Sequence, residues 1–192
     1  AVLDTFEKHE LLSPLRDSVR LDGKTALVTG ANSGLGKAVA IDLARRGARV
    51  LMACRSGIPE AGQDVARESG STNVEMLRVD LSDLESVVAL TDLLAKRKET
   101  IDLLVCNAGV WDGAPIEDMS EELWNKVINT NLKSAWAMTK ACVPAMKKQA
   151  SAAIVMVSST AGQRGEANYS NYAASKGGQI SFTKALASEL CP

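Results

Sequence analysis

Residues 25–36 read T-A-L-V-T-G-A-N-S-G-L-G. A short apolar run closes on three glycines, Gly30, Gly34 and Gly36, and apolar residues at helical spacing, Leu35, Val39 and Leu43, follow at once. That order predicts a strand, a tight turn and a helix. Gly30 permits the turn, Gly34 lets the backbone approach a phosphate, and Gly36 allows close packing of helix on strand. A helix starting there presents free N–H groups and the positive end of its dipole to an anion. The spacing is GxxxGxG rather than GxGxxG. A Walker loop fits poorly, because five residues separate Gly30 from Gly36-Lys37 and Ala38 stands where magnesium needs a hydroxyl.

Outward from this turn the same rhythm repeats. Strands are expected at 25–29, 49–53, 74–79, 101–106 and 153–158. Helices are expected from about 35, over 59–69, from 82 to about 98, from about 120 to 149, and over 168–190. Ser82 with Glu85, and Asp118 with Glu121, have the spacing of helix caps. Strands alternating with helices of ten or more residues imply right-handed βαβ units. The fold class is therefore α/β, a doubly wound parallel sheet of Rossmann type in three αβα layers. Ligands of such sheets sit at the carboxyl ends of the strands. Residues 1–22 are charged and broken by Pro14, and read as an N-terminal arm before a domain over 23–192.

Composition narrows the function. The net charge is −1, which gives no broad basic field for nucleic acid or an anionic membrane. Cys54, Cys106, Cys142 and Cys191 are widely spaced and His9 is the only histidine, so no metal site is expected. The cysteines outline no disulfide framework, no apolar run is long enough to span a bilayer, and charges scatter through the first twenty residues. A cytoplasmic protein is the expectation.

The odd residues fall just after strands. Cys54-Arg55-Ser56 ends the second strand without an acid, and Arg55 is a planar donor for a ribose 2′-phosphate. This favours NADP(H) over NAD(H). Asp80 follows the third strand, where it could accept from an adenine amino group. Cys106-Asn107-Ala108-Gly109 follows the fourth, where small residues let the chain pass close to a flat ligand and Asn107 can fix neighbouring backbone. Asn131 is a polar residue inside an apolar-striped helix.

The stretch 169–178, Y-S-N-Y-A-A-S-K-G-G, holds the chain's two tyrosines. Tyr172 and Lys176 lie one helical turn apart on one face. A free phenol, with a pKa near 10, is a poor base at neutral pH, and a nearby ammonium stabilises its phenolate. Tyr169 is seven residues from Lys176, roughly 10 Å along a helix, too far for direct contact. Ser159, just past the fifth strand, offers a hydroxyl to the oxygen that Tyr172 would protonate.

These marks, TGANSGLG at 29–36, CNAG at 106–109, INTNLKS around Asn131, VSSTAG around Ser159 and YAASK at 172–176, resemble the short-chain dehydrogenase/reductase family in its compact single-domain branch. The resemblance covers about residues 23–190 and implies hydride transfer between a nicotinamide and a carbonyl or secondary alcohol. It implies Tyr172 as acid/base and Ser159 as partner of the substrate oxygen. Lys176 would hold the nicotinamide ribose and lower the Tyr172 pKa, and Asn131 would hold a water in a proton relay. It assigns cofactor contacts to Gly30, Asn32, Ser33, Gly34, Leu35, Gly36, Arg55, Asp80, Leu81, Asn107, Ala108, Gly109, Tyr172 and Lys176. CNAG departs from the commoner NNAG at its first residue. Family members usually run longer, so a chain stopping at Pro192 is expected to lack the last sheet strands and the substrate-covering loop. A homodimer or homotetramer packed through the two long helices is also implied. The competing class is a catalytically inert nucleotide-binding module. A serine hydrolase is excluded, because no GxSxG elbow occurs and the histidine lies in the arm.

Overall fold

The structure is a computed structural model that describes residues 18–190. Five strands form one parallel sheet: β1 (Thr25–Thr29), β2 (Arg49–Cys54), β3 (Val74–Arg78), β4 (Leu103–Cys106) and β5 (Ala153–Met156). Their spatial order is β3-β2-β1-β4-β5. The chain steps outward from β1 to β3, then returns to the other side of β1. The carboxyl ends of β1 and β4 thus flank the switch point where such sheets open a crevice. Register there is tight, with Thr29 opposite Ala53 and Val28 opposite Val105.

The strands are apolar on both sides because helices cover both faces. On one face α1 (Gly34–Arg45) and α2 (Glu60–Ser69) bury Val28, Val50, Met52 and Val105. On the other, α3 (Leu84–Lys96) and α5 (Ser134–Met146) bury Leu27, Leu51, Leu104 and Met138. Edge strand β5 is less covered, with Val155 45% exposed. The expected arm lies mostly outside the described residues. Its last residues dock on the end of α1, where the Leu21 N–H donates to the Arg46 carbonyl at 2.8 Å.

The element boundaries carry several corrections. Ser82 does not cap α3, because its hydroxyl donates to Asp80 Oδ1 at 2.6 Å. Asp83 caps instead, accepting from the Glu85 N–H at 2.9 Å. Asp118 likewise sits in a 3-10 turn, Ile116–Asp118, and Ser120 caps α4 (Glu121–Ile128) by accepting from the Leu123 N–H. The single helix expected to run to about 149 is α4, a π turn over Asn129–Lys133, and α5. A short helix α6 (Ala161–Arg164) was not foreseen, and α7 (Ser170–Leu190) starts after Asn168, whose φ of 66° breaks the helix. Among the described residues no helix is long and apolar enough to cross a membrane, and no cluster of His, Cys, Asp or Glu could hold a metal ion.

Candidate active site

A cleft of about 670 Å³ opens at the switch point, within the usual size of a cofactor site. Gly30, Asn32, Ser33, Leu35, Gly36, Arg55, Asp80, Leu81, Asn107, Ala108 and Gly109 all line it. Gly34 stands behind the turn as the first residue of α1, with φ 53° and open space around it. The cradle requires glycine. A Cβ on Gly36 would strike the Gly30 carbonyl and the Asn107 amide, and one on Gly30 would lie 2.9 Å from Ala108 Cα. Ser33, the N-cap of α1, makes no side-chain cap bond, and the first turn holds no acid. Its N–H groups and dipole therefore stay open to an anion.

Thr29, which the sequence reading passed over, ties the two strand ends together. Its Oγ1 accepts from the Asn107 and Ala108 N–H groups at 3.0 and 3.1 Å and donates to the Val105 carbonyl at 3.3 Å. Asn107 completes the stitch by donating Nδ2 to the Thr29 and Gly30 carbonyls at 3.0 and 3.2 Å. The only signal for Thr29 was its place, a hydroxyl closing an apolar strand. Cys106 is inert here, because burial pushes its thiol up to about 12.

Arg55 projects over the rim, 69% exposed, with Nη1 3.7 Å from Asp80 Oδ2. So loose and exposed a pair holds little energy, which leaves the guanidinium free to turn to another anion. The carboxyl of Asp80 is held below its ordinary range first by the Ser82 hydroxyl, then by the Ser82 N–H and Arg55.

The reacting end is assembled from four separate segments. Asn131, fully buried in the π turn, accepts from the Val110 N–H at 2.8 Å and donates to the Val110 carbonyl at 3.0 Å and to Ser175 Oγ at 3.1 Å. This fixes the loop after β4 against α7. Lys176, only 4% exposed, donates Nζ to the Val157 carbonyl at 2.7 Å and to Gln179 Oε1 at 3.2 Å. Its ammonium lies 5.8 Å from the centre of the Tyr172 ring. Burial pulls the Lys176 ammonium below the usual lysine range. A Cβ built on Gly109 would be 3.5 Å from that Nζ, so the lysine stands behind Gly109, which lines the cleft, while neither Lys176 nor Tyr172 is itself part of the lining.

Ser159 follows β5 by three residues, in a segment whose neighbouring residues pack on Lys176. Ser158 Oγ donates to the Lys176 carbonyl at 2.8 Å, and Gly162 of α6 packs so closely on Lys176 and Gly177 that no side chain would fit. Ser159 Oγ accepts from the Ala161 N–H at 3.2 Å. Farther out, Trp111 stacks on Tyr169 with ring centres 4.5 Å apart and planes 9° from parallel.

Fold and cleft together define a class, the Rossmann-type nucleotide-binding domains. Comparison with known proteins narrows it: the family model for short chain dehydrogenases matches residues 24–192, and the chain belongs to that family. A 3-oxoacyl-[acyl-carrier-protein] reductase of Vibrio harveyi is 38% identical over 172 residues, covering 90% of this chain and 69% of that protein. A Beutenbergia cavernae protein, proposed to be an NAD(P)-dependent gluconate 5-dehydrogenase and solved with bound NADP, is 39% identical with a TM-score of 0.83, covering 89% of this chain and 68% of that one. A short chain dehydrogenase of Escherichia coli CFT073, complexed with NADPH, is 27% identical with a TM-score of 0.82, covering 91% of this chain and 74% of that one.

Proposed function

We propose that this chain is an NADP(H)-dependent oxidoreductase that interconverts a carbonyl compound and its secondary alcohol, with Tyr172 as proton donor and acceptor. The observation that carries the reading is the buried Lys176 ammonium, 5.8 Å from the Tyr172 ring and next to Gly109 of the glycine-lined cleft. When bound, the cofactor would supply or receive the hydride.

The chain's own residues do the rest. The α1 N-terminus, with Asn32 and Ser33 beside it, holds the pyrophosphate. Arg55 faces the 2′-phosphate, and Asp80 and Leu81 flank the adenine. Asn107, Ala108 and Gly109 form the floor beneath the ribose and nicotinamide. Lys176 uses two N–H groups on protein carbonyl oxygens, and its third is left for a ribose hydroxyl. Tyr172, whose ring centre lies 5.8 Å from that ammonium, would exchange the proton with the substrate oxygen. Ser159 Oγ accepts from the Ala161 N–H, and its own O–H remains to donate to the substrate oxygen. Asn131 holds the floor and the α7 side chains in one frame. Trp111 and Tyr169 form the outer substrate wall. The bound NADP of the Beutenbergia protein and the 3-oxoacyl substrate named for the Vibrio enzyme both accord with this reading. Assembly through α5 and α7 into a homodimer or homotetramer is part of the proposal, and light scattering over a concentration series reads it directly.

NADPH oxidation with a panel of ketones tests the chemistry, with Tyr172→Phe as the matched variant. Loss of at least about a hundredfold is expected with NADPH binding retained. Equal rates for the two proteins would sink the assignment, and binding without turnover in the unmutated chain would favour the inert module.

A further inference from the structure

Gln179 is among the largest fully buried side chains in the molecule, 1% exposed, and it lies one turn past Lys176 on α7. A glutamine is rarely buried so completely, because four hydrogen-bonding positions must be answered. Both ends of this one are answered by the reacting centre. Nε2 donates to the main-chain carbonyl of Asn131 at 2.7 Å, and Oε1 accepts from Lys176 Nζ at 3.2 Å. The orientation is forced: the carbonyl can only accept and the ammonium can only donate. The carbonyl belongs to the π turn, a widened helical turn of the kind found at functional sites.

We propose that Gln179 is a positioning residue for the proton-transfer pair, an amide strut that fixes the Lys176 ammonium against the π turn without offering it a counter-charge. The proposal rests on the reading of Tyr172 and Lys176 as that pair. Its physical logic lies in the neutrality of the amide. A buried ammonium needs acceptors to stay charged, and Lys176 has two, the Val157 carbonyl and Gln179 Oε1. A carboxylate in the second place would hold the ammonium more strongly and cancel its field at Tyr172. An apolar side chain would leave the ammonium short of one acceptor. Only a neutral acceptor keeps the charge and leaves it undiminished. The groups that face Lys176 from the packed elements are Gly109 from the loop after β4, Val157 from the end of β5, Gly162 from α6, Tyr172 and Gln179 from α7, and, through Gln179, Asn131 in the π turn. Tyr172 is the one among them that ionises.

The test reads the Lys176 amine itself. Lysines carrying ¹³C at Cε are titrated by NMR in the full chain, with the Lys176 signal assigned by its loss in Lys176→Met. Gln179→Leu should lower the Lys176 midpoint by about one pH unit, and Gln179→Glu should raise it by a similar amount. Opposite shifts of that kind support the strut. Midpoints that stay in place in both variants overturn it, because a side chain that only fills space moves neither. Gln179→Met keeps the length and bulk without an acceptor, and carries the Leu expectation if that variant fails to fold. The titration needs no turnover. Its failure and the failure of the Tyr172 assignment, read by Tyr172→Phe kinetics, are therefore separate results.

Discussion

Asn107 and Asn131 each use a side-chain amide to pin the loop after β4 to another segment, and they do it over different reaches. Asn107 ties the loop after β4 to Thr29 and Gly30 on the neighbouring strand, and the whole device lies in two short stretches. Asn131 ties a π turn to the loop at Val110 and to Ser175 on α7, three segments distant in sequence. Asn107 is partly open to solvent and Asn131 is fully buried. The nucleotide half is thus a local structure that the backbone mostly shapes. The reacting half is a tertiary structure made of side chains, and it exists only once the fold is complete.

The difference predicts unequal damage. Asn131→Leu removes three hydrogen bonds made from a fully buried position and should cost about 3 kcal/mol of stability. Asn107→Leu unpairs the Thr29 and Gly30 carbonyls, of which Gly30 lines the open cleft, and should cost about 1 kcal/mol. Urea denaturation of the two variants measures both. A larger loss for Asn107 would break the contrast between a local and a tertiary half.

The same contrast explains what the sequence made legible. The glycine turn announced itself because each glycine answers a local constraint: Gly36 has no room for a Cβ, and Gly34 has a positive φ. The parallel, doubly wound sheet followed from alternation and from the rule of right-handed crossovers. The helix caps were misplaced by one or two residues, because Ser82 and Asp118 had nearer uses than the helix ends they precede. Asn131 was visible as an oddity, but the π turn it occupies was not. Gln179 was invisible: nothing in K-G-G-Q marks a glutamine that will meet a carbonyl 48 residues away. Thr29 was missed for the same reason, since its partners lie on β4. Local constraints leave traces in sequence, and partners met across the fold leave few.

Arg55 sharpens the comparison from the nucleotide side. It stands on the rim, 69% exposed, paired only loosely with Asp80. Removing it disturbs no packing, so Arg55→Ala should leave stability and NADH binding unchanged. NADPH should bind about tenfold more weakly, the worth of one charge-assisted contact. Calorimetry with both cofactors decides this. Equal weakening of the two would place Arg55 in general binding instead of 2′-phosphate choice.

The smallest expected effect lies at the outer wall. Trp111 is 61% exposed yet stacked on Tyr169, and Gly113 lies so close to Asn168 and Tyr169 that no side chain fits between. The stack therefore joins the loop after β4 to the start of α7, one turn before Tyr172. An aromatic pair of this kind is worth about 1 kcal/mol. Trp111→Ala should cost roughly that in stability and raise KM a fewfold for ketones with apolar substituents, while kcat changes little. That split follows from position: in the proposed reading the stack forms the substrate wall, and it touches neither Lys176 nor Asn131 among the described contacts. Steady-state kinetics on a series of ketones of growing apolar size reads it. A fall in kcat with KM unchanged would mean that the stack sets the pose of Tyr172, and the reacting half would then extend one turn farther along α7 than the buried hydrogen bonds mark out.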